Sequence, residues 1–138
     1  MKGRCQILYI SDINYYKKQA RIYLFLSIFT FIFSFIYELF SHNVYSLYML
    51  LSPFSPLLLG TFINYILYFS NINIKFSKLN VDIHNSFVLT LTLYMLLNGV
   101  LYIYGTTNKL LNYYIYILIF LLILNILVFM KNIICFKK

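Results

Sequence analysis

Glu38 and His42 stand four residues apart in YELFSH (37–42), near the end of a long apolar run. One helical turn separates such a pair, so a carboxyl and an imidazole on that face can share a proton or hold a cation. A carboxylate beside hydrocarbon is costly unless it is paired, protonated or hydrated, so Glu38 is a functional candidate by default. Ser52 and Ser55 enter the following apolar run at a similar depth. Asn98 lies seven residues before Gly105, about 10 Å along a helix axis. Thr106, Thr107 and Asn108 follow it in a short turn. Glu38, His42, Ser52, Asn98 and Thr106 are therefore the candidate lining of a ligand-binding or interaction site. The plainer alternative is that Glu38 snorkels to the headgroups and pairs with His42 or Lys109.

The second histidine, His84, sits with Asp82 and Asn85 in VDIHNSFVLT. His84 and Asp82 are expected at the membrane interface, with Asn80, Asp82 and Asn85 suited to a first helical turn. Two histidines in a small membrane protein invite a bis-histidine haem. His42 and His84 belong to opposite ends of their spans, about 30 Å apart, which excludes one shared iron within a single chain. Zinc or di-iron chemistry needs three or four converging ligands. The three acidic residues, Asp12, Glu38 and Asp82, do not converge. Cys5 and Cys135 lie at opposite ends of the chain without a CxxC, and are expected to be reduced cytoplasmic thiols. No glycine-rich phosphate loop and no Ser/His/Asp set is legible. The chain is thus expected to carry no catalytic residues, no metal and no cofactor, and to be a non-enzyme.

Four apolar stretches, at about 22–40, 46–69, 86–105 and 110–130, must position these side chains. About 20 helical residues at ~1.5 Å each cross the ~30 Å hydrocarbon layer, so each stretch is long enough to span. Hydrophobic residues make up 62% and charged residues 10% of the chain, which leaves too little polar surface for a water-soluble domain. Ile, Asn, Lys, Phe and Tyr are frequent throughout, a bias expected of an AT-rich, bacterial genome rather than of an aromatic binding surface. Ten of the eleven basic residues fall in 1–21, in 70–85 or after 130; only Lys109 falls in the other loops. The positive-inside tendency then puts both termini in the cytoplasm. The net charge of +8 is read as topology signals and contacts to anionic lipids of the inner leaflet, not as a nucleic-acid patch. Apolar sequence begins only near Ile22, after a basic segment, so the first run is expected to be a retained span and not a signal peptide.

The two outer connections, about 41–45 and 105–109, are short, which predicts two antiparallel helical hairpins. Gly105 is expected to end the third span with positive φ, and Thr107 or Asn108 to cap the fourth. Residues 13–21 (INYYKKQAR) are expected at the inner interface or as an extension of the first span. Ser27, Thr30, Ser34 and Glu38 follow steps of three and four, as do Pro53, Pro56, Gly60 and Asn64, so each set shares one helix face. Those faces should meet protein. The segment SPFSP (52–56) should kink or unwind its helix.

The expected architecture is a single all-α domain, 1–138, folded as a four-helix transmembrane bundle in the cell membrane. The expected role is a small multi-pass accessory or partner-binding subunit, assembling with itself or with a larger membrane protein. The alternative is a small transporter, channel or ligand-binding protein that uses Glu38 as a proton- or cation-responsive group.

Overall fold

The computed structural model describes residues 13–41, 44–69 and 78–136 of the chain, all helices and connections, with no strand among them. Four helices are long and apolar enough to cross a membrane. They are α1 (Ile13–Leu39), α2 (Leu47–Phe69), α3 (Lys78–Ile103) and α4 (Leu111–Phe136).

Helix α1 begins well before the apolar run, because the INYYKKQAR segment continues it in register. Its buried residues are Tyr16, Ala20, Tyr23, Ser27, Thr30 and Ser34. Steps alternating between four and three hold these six on one narrow stripe facing the other helices. The remaining faces carry Phe25, Phe29, Phe31 and Phe35, all exposed. This distribution is the reverse of a water-soluble protein. Buried side chains are largely Ser, Thr and Asn, while exposed ones are largely Phe, Ile, Leu and Tyr. Lipid is the only solvent in which that arrangement is favourable.

Helix α2 is irregular. Its first turn, Leu47–Leu51, gives way to a π-helical stretch over Ser55–Phe62 and then to α-helix over Ile63–Phe69. Pro53 and Pro56 cause the break, since neither has an N–H to close a four-residue ring. At the break Pro53 O accepts twice, from Leu57 N–H four residues on at 3.3 Å and from the Ser27 hydroxyl of α1 at 3.1 Å. The irregular backbone is covered by protein, as a membrane requires. Pro53, Pro56, Gly60 and Asn64 are all buried.

Two glycines bring helices close. A Cβ on Gly60 would overlap the Tyr23 ring of α1. A Cβ on Gly99 would lie 2.8 Å from Met49 Sδ and 3.0 Å from Met49 N. Helix α3 starts at Lys78, about two turns earlier than the apolar pattern indicates, so Asp82, His84 and Asn85 lie inside the helix and not before it. Polar residues there have protein neighbours, which a hydropathy reading cannot see. Gly105 takes φ +66° after α3, and Asn108 Oδ1 accepts from Leu110 N at 2.9 Å before α4.

Packing runs α1 on α2, α2 on α3 and α3 on α4. Helices α1 and α4 are not packed on each other, and no residue in the apolar core window of α4 is buried. Helices α1 and α4 are thus the outer members of this packing order. Replacing Gly60 with Ala should destabilise the protein by about 1–3 kcal/mol, because the Tyr23 ring must move. Thermal unfolding in detergent would measure this. A Gly60→Ala variant as stable as the parent would contradict the close approach of α1 and α2.

Candidate functional site

Hydroxyls knit the middle of the bundle. Ser34 Oγ lies 3.0 Å from Ser52 Oγ, and Ser52 Oγ in turn donates to Met49 O at 2.9 Å. Ser34 is therefore the donor in that pair, each hydroxyl having one proton to give. Ser55 Oγ and Thr92 Oγ1 lie 2.6 Å apart; Thr92 Oγ1 has Val88 O at 2.8 Å and Ser55 Oγ has Ser52 O at 3.4 Å, and the shorter carbonyl bond takes the Thr92 proton, so Ser55 donates to Thr92. Both chains end on a backbone carbonyl with all protons used. They join helices and leave nothing for a ligand.

The cluster expected around Glu38 can now be placed. Ser52 is committed to Ser34 as above. Asn98 Nδ2 donates along its own helix to Tyr94 O at 3.1 Å. Thr106 is exposed, and its N–H bonds Leu101 O at 3.0 Å. Glu38 is half-buried, and its Oε1 is buried with no hydrogen-bond partner. His42 lies outside the described residues, as does Cys5. Among the described residues, no hydrogen bond joins any two of Glu38, Ser52, Asn98 and Thr106.

The opposite end, around His84, is organised differently. Tyr16 of α1, Asn64 of α2, Asn80, His84 and Asn85 of α3 and Asn125 of α4 line one cavity of about 240 Å³. Ile63, Leu67, Val81 and Phe129 complete its walls. Its position follows from the fold: the four helices converge here, but α1 and α4 do not close on each other.

His84 is held on both sides of its ring. Its Nε2 lies 3.0 Å from Leu59 O in the π-helical stretch. A carbonyl can only accept, so Nε2 carries the proton. Asn125 Nδ2 sits 3.4 Å from Nδ1, which accepts from it. The arrangement describes a neutral imidazole bracing α2, α3 and α4. Asp82 is exposed on α3 and its backbone carbonyl accepts from Ser86 Oγ at 2.9 Å; it does not line the cavity.

Other polar groups around the cavity are only partly used. Tyr23 donates its hydroxyl to Asn85 Oδ1 at 2.7 Å, leaving the Asn85 Nδ2 protons. Asn64 Nδ2 donates to Gly60 O at 2.6 Å, leaving its Oδ1. Asn80 is 5% exposed and lines the cavity. Tyr16 is 7% exposed and its Oη is buried without a hydrogen bond. Such groups are costly to leave dry and unpaired, by roughly 1–3 kcal/mol each. Among the described residues no Lys, Arg, Asp or Glu lines the cavity. The site can take up an uncharged molecule that both donates and accepts hydrogen bonds; it has no countercharge for an ion. Among the described residues no three His, Cys, Asp or Glu side chains converge as a metal group.

Sequence reading placed His84 at an interface and missed this cavity. A signal was present in the spacing: Asn80, His84 and Asn85 share one face of a helix, provided the helix starts before residue 80. The partners Tyr16, Asn64 and Asn125 come from three other helices and are not linked to it by any local pattern. Compared with known proteins, the chain matches no protein-family model, no curated sequence and no solved structure.

Proposed function

We propose that this protein is a non-enzymatic, ligand-binding multi-pass membrane protein whose site is the cavity around His84. The observation that carries the reading is Tyr16 Oη, buried without a hydrogen bond at a cavity that the side chains of Asn64, Asn80, Asn85 and Asn125 also line. Most polar groups elsewhere in the interior close their hydrogen bonds across helices or onto backbone carbonyls; Glu38 Oε1 and Ser46 Oγ are buried without a partner but do not line this cavity. Lone donors and acceptors beside an open space are the mark of a binding site rather than of helix glue. Purification from native membranes followed by native mass spectrometry is expected to show a co-purifying small molecule, lost on filling the cavity with Val81→Phe. An equal yield of bound molecule from a folded Val81→Phe variant, or none from the parent, overturns the reading.

In the cell membrane the chain is proposed to lie with both termini cytoplasmic, as two antiparallel hairpins. In support, Ser34, Ser27, Tyr23 and Lys17 of α1 meet Ser52, Pro53, Gly60 and Tyr68 of α2, in reversed chain order. The His84 end would then face the inner leaflet. Lys18 and Arg21, with Ile22 and Phe25 below them on α1, line an exposed groove suited to anionic lipid. A cysteine at Thr107 should react with an impermeant maleimide added outside intact cells. Labelling only after lysis would reverse the orientation.

A second reading rests on Glu38, whose buried Oε1 has no partner. It makes this carboxyl a proton- or cation-responsive group, serving transport or contact with another copy or a larger membrane subunit. Glu38→Gln should then abolish pH-dependent flux in liposomes or partner co-purification without lowering membrane insertion. Unchanged behaviour in both assays removes Glu38 from the function.

A further inference from the structure

We propose that the His84 cavity holds the headgroup of a lipid-dissolved, uncharged ring carrying carbonyl groups, that is, a molecule of the quinone class. The inference rests on the binding function proposed above and adds the chemistry of the ligand.

Size sets the first limit. A cavity of 150 Å³ in an apolar core accommodates benzene, so about 240 Å³ accommodates a ring of about ten non-hydrogen atoms. That admits a substituted single ring.

Charge sets the second limit. Among the described residues no Lys, Arg, Asp or Glu lines the cavity, and both ring nitrogens of His84 are engaged by protein groups. A phosphate, carboxylate or ammonium would be desolvated with no counterion, so charged ligands are disfavoured.

The pattern of open hydrogen-bonding positions sets the third. Tyr16 Oη, the Asn80 amide and Asn85 Nδ2 supply donors that carbonyl oxygens can accept. Asn64 Oδ1 and Asn125 Oδ1 supply acceptors for the hydroxyls of the reduced form. Ile63, Leu67, Val81 and Phe129 pack the faces and edges of the ring. Both forms of the ring thus find partners; only binding is claimed, with no electron transfer.

The lipid-facing side is the last element. Tyr16 and Phe129 flank the cavity from α1 and α4, the two helices that are not packed on each other. Phe129 is 44% exposed on the surface that faces lipid. A tailed molecule bound here can leave its tail among the acyl chains on that side.

Duroquinone is a suitable probe, since every ring carbon is substituted and resists addition of the chain's thiols. Hexamethylbenzene, with methyls in place of both oxygens, is the matched hydrocarbon. Equilibrium dialysis against the protein in nanodiscs should show saturable duroquinone binding above that of empty nanodiscs. Hexamethylbenzene should only partition. Tyr16→Phe and Asn80→Leu should each weaken duroquinone binding by about fivefold, the loss of one hydrogen bond. Tyr16→Phe removes a single oxygen, so it keeps the test valid where Asn80→Leu fails to fold. Non-saturable duroquinone uptake, equal affinity for hexamethylbenzene, or undiminished binding by Tyr16→Phe each overturns the proposal. A native ligand that still disappears with Val81→Phe, in the face of such a result, would leave the site standing and remove only its ligand class.

Discussion

Lipid offers no hydrogen bonds, and the rest of this structure follows from that. Every backbone and side-chain polar group at membrane depth must find its partner within the protein. The chain meets the demand with helices, then with hydroxyl pairs that end on carbonyls. Ser34, Ser52 and Met49 O form one such chain; Ser55, Thr92 and Val88 O form another. Each bond contributes modestly, about 0.6 kcal/mol on average in membrane proteins. Their value is in fixing which faces meet, because lipid gives no hydrophobic force to bring apolar helices together.

The same demand explains the shape of α2. Two prolines remove backbone donors in mid-membrane, which would be prohibitive on a lipid-facing helix. Here both prolines are buried, and Met49 O, which Pro53 deprives of a helical donor, accepts from Ser52 N–H and Ser52 Oγ instead. The π-helical stretch that results also presents Leu59 O to His84. A local backbone irregularity thereby fixes the tautomer of the histidine at the centre of the proposed site. The bare Cα of Gly60 lets Tyr23 pack on the same stretch, and Tyr23 in turn holds Asn85. Backbone, packing and site are linked through these few residues.

The Glu38 end and the His84 end differ in a physically informative way. Around Glu38, the nearby hydroxyls and amides are already spent: Ser52 on Ser34, Asn98 on Tyr94 O. What remains is a lone carboxylate oxygen. Around His84, several helices bring amides together and leave part of their capacity open beside a cavity. A single unmatched group can be a snorkelling side chain. A set of them from four helices around one space is harder to account for by packing.

Much of the architecture was legible in the residues alone. Four apolar runs gave four helices among the described residues, steps of three and four marked the buried stripes, and Gly105 and Asn108 marked the turn before α4. These features are local: run length, periodicity and turn chemistry depend on neighbours in the chain. The expected Glu38 grouping was a guess about depth, and depth alone does not say which side chains are already bonded to something else. The cavity was beyond the sequence for a further reason. It joins residues 16, 64, 80 and 125, whose meeting depends on helix rotation, on the π-helical twist of α2 and on α1 and α4 staying apart. Those are set by packing of all four helices at once, so only the tertiary structure decides them.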